Sequence, residues 1–206
     1  MKKLKISSLI ATAAFAVAAS ALAQSASFSA SRTFEFDPDK VGGAVASWSK
    51  GIGLPDGSGN TNFGLQLEKN VPTDVVVSAG AVLNGLKGTV VAVGDTMGYD
   101  MTNTSPRQAG SPRFNVSWIL NGVSGFSFVG GSSNATPAPS CQDPVNWTRF
   151  RMNLQTQAFP AVPAGAVLQS VVLIVDDQGK YTLDNITFRD QVAGKPGASV
   201  SSTGCP

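Results

Sequence analysis

The chain has 206 residues, of which 42% are hydrophobic and 14% are charged, and its formal net charge is +2. It contains no histidine, which excludes His-based catalytic triads and nearly all zinc hydrolase sites. Positive and negative residues are almost balanced, so electrostatics gives no reason to expect nucleic acid as a partner.

The first 23 residues are typical of a bacterial secretory signal peptide. A basic start at 1–5 precedes a short apolar run at 9–19, and a small-x-small cleavage site follows at 21–23. The apolar run is too short to span a bilayer, so we expect cleavage, export to the periplasm or the extracellular space, and no membrane insertion afterwards. Three of the fifteen Lys and Arg lie in this leader, which leaves twelve against thirteen Asp and Glu.

Short strand patterns fill residues 24–193, which predicts one β domain. Residues 25–37 alternate between apolar and polar types, with Ala30 and all three phenylalanines of this segment predicted on the core side. Further strands are predicted at 44–48, 63–68, 74–83, 88–93, 113–120, 123–129 and 146–154, and loops at 50–62, 94–111 and 130–144.

Two Asn-Gly pairs predict β-hairpin turns. Asn84-Gly85 would join the strand at 74–83 to the one at 88–93. Asn121-Gly122 would join the strand at 113–120 to the one at 123–129.

The stretch that predicts the centre of the domain is 165–188. Its first half, 167–175, is rich in β-branched residues, as expected of a strand buried on both faces. A tight turn at 176–180 would return the chain as an antiparallel partner strand at 181–188. Beyond the leader there is no long helical spacing of apolar residues and no fixed repeat. The predicted fold is therefore all-β, a two-sheet antiparallel β-sandwich of the jelly-roll type.

The two cysteines, Cys141 and Cys205, are expected to pair in an oxidising compartment. Such a disulfide would close a loop of about 65 residues, worth roughly 4 kcal/mol in the chain-entropy model. It would also tether the tail at 194–206, whose composition is typical of a flexible segment. Two free thiols are the alternative.

Several short motifs resemble a known family. They are Phe-Glu-Phe-Asp at 34–37, Trp48 followed by a glycine-rich loop, the strand at 62–67, and Tyr-Thr-Leu-Asp-Asn-Ile-Thr-Phe at 181–188. Together they resemble the galactose-binding-domain-like jelly rolls, which include many carbohydrate-binding modules of secreted bacterial proteins. The resemblance implies a binding function for a polysaccharide or another glycan.

The same resemblance implies one cofactor, a structural Ca²⁺, and no other. In such modules an acidic residue of the first strand and an Asp of the last strand share the ion. Here these positions are Glu35 or Asp37, and Asp184, and Ca²⁺ suits a shell of carboxylate and carbonyl oxygens. The alternative is that Asp184 accepts hydrogen bonds from backbone amides.

A sugar site needs exposed aromatic faces and a few polar groups aimed at hydroxyls. Trp147 is the first candidate, because the alternation of its strand places it with Arg149 and Arg151 on the polar side. Trp48 and Tyr99, which flank predicted loops, are the next candidates. A loop or the tail covering Trp147, and packing of Trp48 at the edge of the sandwich, are the alternatives.

These observations predict an exported, non-catalytic domain that binds carbohydrate. A second hypothesis is a secreted structural or surface-interaction protein that presents its loops to a protein partner. A third is a glycosidase or lyase, which would use Glu35 and Glu68, the only glutamates after the leader, as its paired carboxylates.

Overall fold

The computed structural model describes residues 28–56 and 61–194. The predicted signal peptide, Cys205 and the tail from residue 195 lie outside the described residues. Within them the strands are β1 Ser29–Phe36, β2 Ala44–Ser49, β3 Gly64–Lys69, β4 Ser78–Asn84, β5 Thr96–Thr102, β6 Arg113–Leu120, β7 Val123–Gly130, β8 Thr136–Pro139, β9 Trp147–Asn153, β10 Ala158–Phe159, β11 Val167–Val175, β12 Gly179–Phe188 and β13 Gln191–Ala193.

The strands form two antiparallel sheets that enclose one core. Sheet A has six strands in the order β1-β4-β11-β6-β7-β10. Sheet B has seven, in the order β2-β3-β12-β5-β9-β8 with β13 beside β12. The predicted fold class, an all-β two-sheet antiparallel sandwich, is confirmed. Within the described ranges no helix has the length and hydrophobicity needed to cross a bilayer.

Strand β11 is central to sheet A, but it is buried mainly on one side. Leu168, Val171 and Leu173 point into the core, whereas Val172 and Ile174 are half-buried on the opposite side. A register shift between residues 168 and 170 inserts one extra residue, which is why two inward residues stand three positions apart. The predicted burial on both faces is therefore wrong for this strand.

The predicted pairing of 167–175 with 181–188 is also wrong. Strand β11 pairs with β4 and β6 in sheet A, whereas β12 pairs with β3 and β5 in sheet B. The turn between them thus carries the chain from one sheet to the other. The reason is burial, because Leu173 on β11 and Tyr181 and Leu183 on β12 are all fully buried in the shared core. Both strands turn their apolar sides into the space between the sheets.

The two Asn-Gly turns have different outcomes. Asn121 and Gly122 have φ of 51° and 80°, as a two-residue hairpin turn requires, and β6 pairs with β7 across them. No strand forms at 88–93, where only an isolated bridge joins Val90 to Val167. Strand β4 instead pairs with β1 and β11, so that both of its edges are already used.

One central strand lies inside a predicted loop. Strand β5 falls within 94–111 and pairs with β12 and β9 in the middle of sheet B. Its Met97, Tyr99 and Met101 are fully buried and alternate as a strand requires. The residues between them, Gly98 and Asp100, are depleted in strands, which is why the segment resembles a loop in sequence.

A bulge in β1 reverses the predicted orientation of two phenylalanines. Between Ser29 and Arg32 the strand advances three residues while β4 advances two. Such an insertion exchanges the faces of every residue that follows it. Phe34 and Phe36 therefore lie on the outer side of sheet A.

Phe34 occupies space that a glycine leaves open. A Cβ placed on Gly80 would come within 2.6 Å of the Phe34 ring, so this ring lies over the neighbouring strand. The prediction that both later phenylalanines of β1 point to the core is wrong. Phe28 and Ala30, which precede the bulge or lie within it, are buried in the core as predicted.

A buried lysine joins two connections at one end of the sandwich. Lys69 is only 1% exposed. Its Nζ donates hydrogen bonds to the carbonyl oxygens of Thr73 at 2.9 Å, Val75 at 2.6 Å and Asp176 at 2.9 Å. All three ammonium hydrogens thus have acceptors, and the β3–β4 connection is fixed to the β11–β12 crossover.

We expect Lys69→Met to lower the free energy of unfolding by about 3 kcal/mol, because three buried carbonyls lose a charged donor. Urea unfolding followed by circular dichroism measures the change. Lys87→Met, at an exposed position, is the matched control and should change stability by less than about 0.5 kcal/mol. Equal effects of the two substitutions would contradict the role of Lys69.

Candidate functional site

The predicted aromatic site does not form an exposed surface. Trp147 is 6% exposed, and its backbone is bonded to the loop before it, since Ser140 N donates to Trp147 O and Trp147 N donates to Asp143 O. Its burial matches the alternative in which the ring is covered. Trp147 is therefore closed to a ligand in this structure.

The other two predicted aromatics are also engaged. Tyr99 is fully buried on β5, its hydroxyl donates to Pro112 O at 2.7 Å, and its ring lies between Phe114 and Phe150. Burial raises its pKa far above the ordinary value for tyrosine. Trp48 is half-buried at the sandwich edge, and its Nε1 donates to Ala30 O at 2.9 Å. Tyr99 therefore offers no free face for a sugar, and Trp48 is only partly exposed.

Arg149 and Arg151 lie together on the outer side of β9. Arg151 Nη1 is 3.8 Å from Asp100 Oδ1 and donates to Phe150 O at 2.9 Å. Burial lowers the pKa of Arg151 to about 10. Arg149 Nη1 lies 3.6 Å from Cys141 Sγ. The two arginines thus take part in internal contacts of this face.

Asp184 is the centre of a buried polar network on the outer side of sheet B. Its Oδ2 accepts from Leu54 N at 2.8 Å and its Oδ1 accepts from Asn185 N at 2.7 Å. The Asn185 amide then donates to Asp100 Oδ2 at 3.1 Å and to Gln142 Oε1 at 2.6 Å. The network holds two predicted surface loops, 50–62 and 130–144, against the sheet.

Burial raises the pKa of Asp184 to about 7, and the negative charges of Asp56 and Asp100 act in the same direction. Asp100 itself accepts from Ser140 Oγ at 2.9 Å. The sequence contains no signal for this network, because its members come from four separate segments. The network around Asp184 fixes the loops that cover the outer side of sheet B, where Trp147 lies.

The predicted calcium ligands are engaged in separate hydrogen bonds. Glu35 Oε1 accepts from Ala46 N at 3.2 Å. Asp37 accepts from the amides of Val41 and Gly42, within its own turn. Asp184 accepts from two backbone amides, as the alternative to a metal expected. In residues 28–56 and 61–194 no three Asp, Glu, His or Cys side chains are placed to hold a metal ion, and calcium binding stays a prediction.

Two further predictions concern cysteines and glutamates. Cys141 is exposed, and since Cys205 lies outside the described residues, their disulfide stays a prediction. Glu68 forms an ion pair with Lys180 at 3.0 Å and also contacts Gln66 and Asn70. None of these contacts involves Glu35, and the carboxylate pair stays a prediction.

The exposed aromatic residues lie instead on the outer side of sheet A. Phe126 and Phe128 on β7 are 45% and 43% exposed, Phe159 on β10 is 81% exposed, and Phe36 on β1 is 50% exposed. Phe126 and Phe128 pack edge to face, with ring centroids 5.1 Å apart. Phe159 pairs with Phe128 across the two strands.

Next to these rings is a cleft of about 580 Å³, which we call the Phe cleft. Its walls come from the end of β7, from β10 and from the loops that precede β6 and follow β7. The lining residues are Ala109, Gly110, Arg113, Phe128, Gly130, Asn134, Thr156, Gln157, Ala158 and Phe159.

Arg113 forms a fixed charged wall of the Phe cleft. Its guanidinium lies 4.9 Å from the centroid of the Phe128 ring and donates to both carboxylate oxygens of Asp176, at 2.5 and 2.6 Å. Although burial acts to raise the pKa of Asp176, the hydrogen bonds and charge of Arg113 hold it below the ordinary value. The pair is therefore ionised and neutral overall at physiological pH.

A glycine allows the two loops of the Phe cleft to meet. Gly131 has φ of +87°, and a Cβ there would lie 1.7 Å from Ala109 O, so no other residue fits this position. Ser132 Oγ also joins these two loops, since it accepts a hydrogen bond from Gln108 N at 2.9 Å and donates one to Ser111 O at 3.1 Å. The side-chain Nδ2 of Asn134 donates two long hydrogen bonds of 3.4 Å, to Ala109 O and Gly130 O.

Their spacing in the sequence places Phe126 and Phe128 on the same side of β7, but it does not indicate whether that side faces the core or the solvent. The inward residues of β7 include Gly125 and Ser127, both small. Trp118 from β6 occupies the space above them, with its Nε1 donating to Ser127 Oγ at 2.9 Å. A larger ring from the neighbouring strand thus fills the core, and the phenylalanines of β7 are left outside.

Comparisons with protein families, curated proteins and solved structures gave no match. The resemblance to galactose-binding-domain-like modules therefore rests on the short motifs alone. The structure shows the coarser feature, a two-sheet antiparallel sandwich compatible with a jelly roll.

The raised pKa of Asp184 predicts a pH dependence of stability. Its folded-state pKa is about 7, against 3.8 as its ordinary value, so the folded protein retains a proton that the unfolded chain releases between these values. The resulting stabilisation is complete below about pH 4 and is lost as the pH rises to about 7. We expect the free energy of unfolding to fall by roughly a few kcal/mol across this range.

Asp184→Asn should remove most of this decrease, because the amide does not titrate. Urea unfolding at several pH values measures the slope for both proteins. Asp39→Asn, at an exposed aspartate, is the control and should keep the slope of the unchanged chain. A slope that persists in Asp184→Asn would show that another group causes it.

Proposed function

We propose that this chain is an exported, non-catalytic domain that binds carbohydrate in the Phe cleft. The supporting observation is the composition of that cleft, in which two exposed phenylalanine rings stand beside amide and hydroxyl side chains. The site differs from the one expected around Trp147, but its chemistry is the same. An exposed ring supplies the stacking face and neighbouring polar groups meet the sugar hydroxyls.

The polar groups suit hydroxyl recognition. Asn134 and Thr156 are exposed, and the long hydrogen bonds of the Asn134 amide can be exchanged for ligand hydroxyls at small cost. Gln157 is held in place by donating to Asn134 O at 2.8 Å. The cleft volume lies in the range of small-ligand sites, about 300–1,000 Å³.

The charge of the Phe cleft favours a neutral glycan. Among the described residues of its lining the one cation is Arg113, which is neutralised by the bidentate pair with Asp176, so an anionic sugar gains little from entering. The described residues that line it include no carboxylate and no cysteine, so they do not supply the paired carboxyl groups that glycoside cleavage uses. Binding without catalysis is the function that this lining supports.

A protein partner is the second candidate, and the remainder of the outer side of sheet A favours it. Phe36 is exposed there, and Val82, Val172 and Ile174 are half-exposed farther along the same side of the sheet. None of these side chains can hydrogen-bond a sugar hydroxyl. Exposed apolar surface of this kind is typical of protein interaction sites.

We expect Phe128→Ala and Phe159→Ala each to weaken glycan binding about tenfold, the equivalent of one lost aromatic stacking contact. A glycan array identifies the ligand, and calorimetry with that ligand measures the dissociation constant. Phe36→Ala removes an equally exposed ring outside the Phe cleft and should leave the constant unchanged.

Equal loss of binding in all three variants would place the ligand elsewhere on the sheet. Absence of binding to any neutral glycan would overturn the carbohydrate proposal and leave the protein partner as the better explanation.

A further inference from the structure

Edge strands β1, β2 and β8 each carry a feature that prevents pairing with another strand. Edge strand β1 carries the exposed charges of Arg32 and Glu35, and edge strand β8 contains Pro137 and Pro139. On edge strand β2, Ala46 N donates to Glu35 Oε1 at 3.2 Å, so that a side chain already occupies its amide. Charges, prolines and covered amides are the usual means of blocking an edge.

The edge of β7 that β10 leaves uncovered has none of these features. Strand β10 pairs only with Phe128 and Val129, and none of the described strands pairs with 123–127 on that side. The uncovered sequence, Val-Ser-Gly-Phe-Ser, has no charge and no proline. We call residues 123–127 the open edge.

The direction of the backbone groups at the open edge follows from the pairing of β7. Gly130 N donates to Gln157 O at 2.9 Å, toward the β10 side. Since backbone groups alternate in direction along a strand, Ser124 and Phe126 also turn their N–H and C=O groups to that side. The open edge therefore presents two donors and two acceptors.

We propose that a second copy of this chain pairs with the open edge, β7 against β7, in antiparallel orientation about a two-fold axis at Gly125. In this register Ser124 of each copy lies opposite Phe126 of the other. Both residues point their backbone groups across the interface, so the two copies exchange four hydrogen bonds. The two A sheets then form one continuous sheet.

The open edge is complementary to itself in shape. At the axis Gly125 faces Gly125, and the smallest residue stands where antiparallel strands approach most closely, at about 4.5 Å between Cα atoms. Each Phe126 ring lies opposite a serine. The half-buried Trp118 ring covers Gly125 on the inner side, since a Cβ there would be 2.2 Å from its Cζ2, so an indole from each copy lies at the axis.

The length of the open edge also favours a second copy. A partner strand must end where β10 begins, at Phe128. In the proposed register Val123 of the partner lies opposite Ser127, and the two-residue turn at Asn121-Gly122 then leads its chain away. A long extended peptide from another protein would collide with β10.

The test uses the chain expressed with its own leader and measures molar mass by sedimentation equilibrium up to about 0.1 mM, which detects any dimer tighter than that concentration. We expect a dimer. Ser124→Pro should give a monomer with an unchanged circular dichroism spectrum, since this N–H points away from β6, none of the described strands pairs with it there, and proline is accepted at such edge positions. Ser124→Lys is a second disrupting variant, and Ser124→Ala is the control that should remain dimeric.

Amide hydrogen exchange locates the interface. Exchange at Ser124 and Phe126 should slow as protein concentration rises. A chain that is monomeric at every concentration, or a dimer that survives both Ser124→Pro and Ser124→Lys, overturns the proposal. Protection of these amides in a monomer would also overturn it, because a segment of the same chain would then cover the open edge.

Discussion

Burial of β11 and β12 in one shared core is the constraint on which the arrangement of the other strands depends. The two strands are consecutive in sequence, yet each lies near the middle of a different sheet and turns apolar side chains into the shared core. Strands β4 and β6 pair with β11, and β3, β5 and β13 pair with β12. The crossover from β11 to β12 thus determines the positions of most other strands. The Lys69 ammonium holds this crossover through its hydrogen bond to Asp176 O.

The sequence predicts the class of the fold well, because alternation and turn residues are local properties. It predicts poorly which side chains face the core wherever a bulge inserts one extra residue into a strand. The bulge before Arg32 moves Phe34 and Phe36 to the surface, although their spacing with Phe28 indicates the core. A bulge depends on pairing with a distant strand, so no local pattern reveals it.

The candidate site illustrates the same limit. Trp147 was predicted on the outer side of its strand, and that side is covered by loops whose attachment depends on Asp184, 130 positions from Leu54 in sequence. The exposed rings of Phe128 and Phe159 come from strands separated by a loop and by β8 and β9. Which aromatic residues are exposed is decided by these long-range contacts and not by the alternation of each strand.

The shortness of β10 has a consequence for assembly. Because it covers the end of β7, addition of one strand uses up every free backbone group there, and the opposite edge of the sheet carries Arg32 and Glu35. Growth into a fibre requires that each added copy leave another unpaired strand edge exposed. The backbone groups of the exposed strand can therefore be paired by one added strand without starting polymerisation.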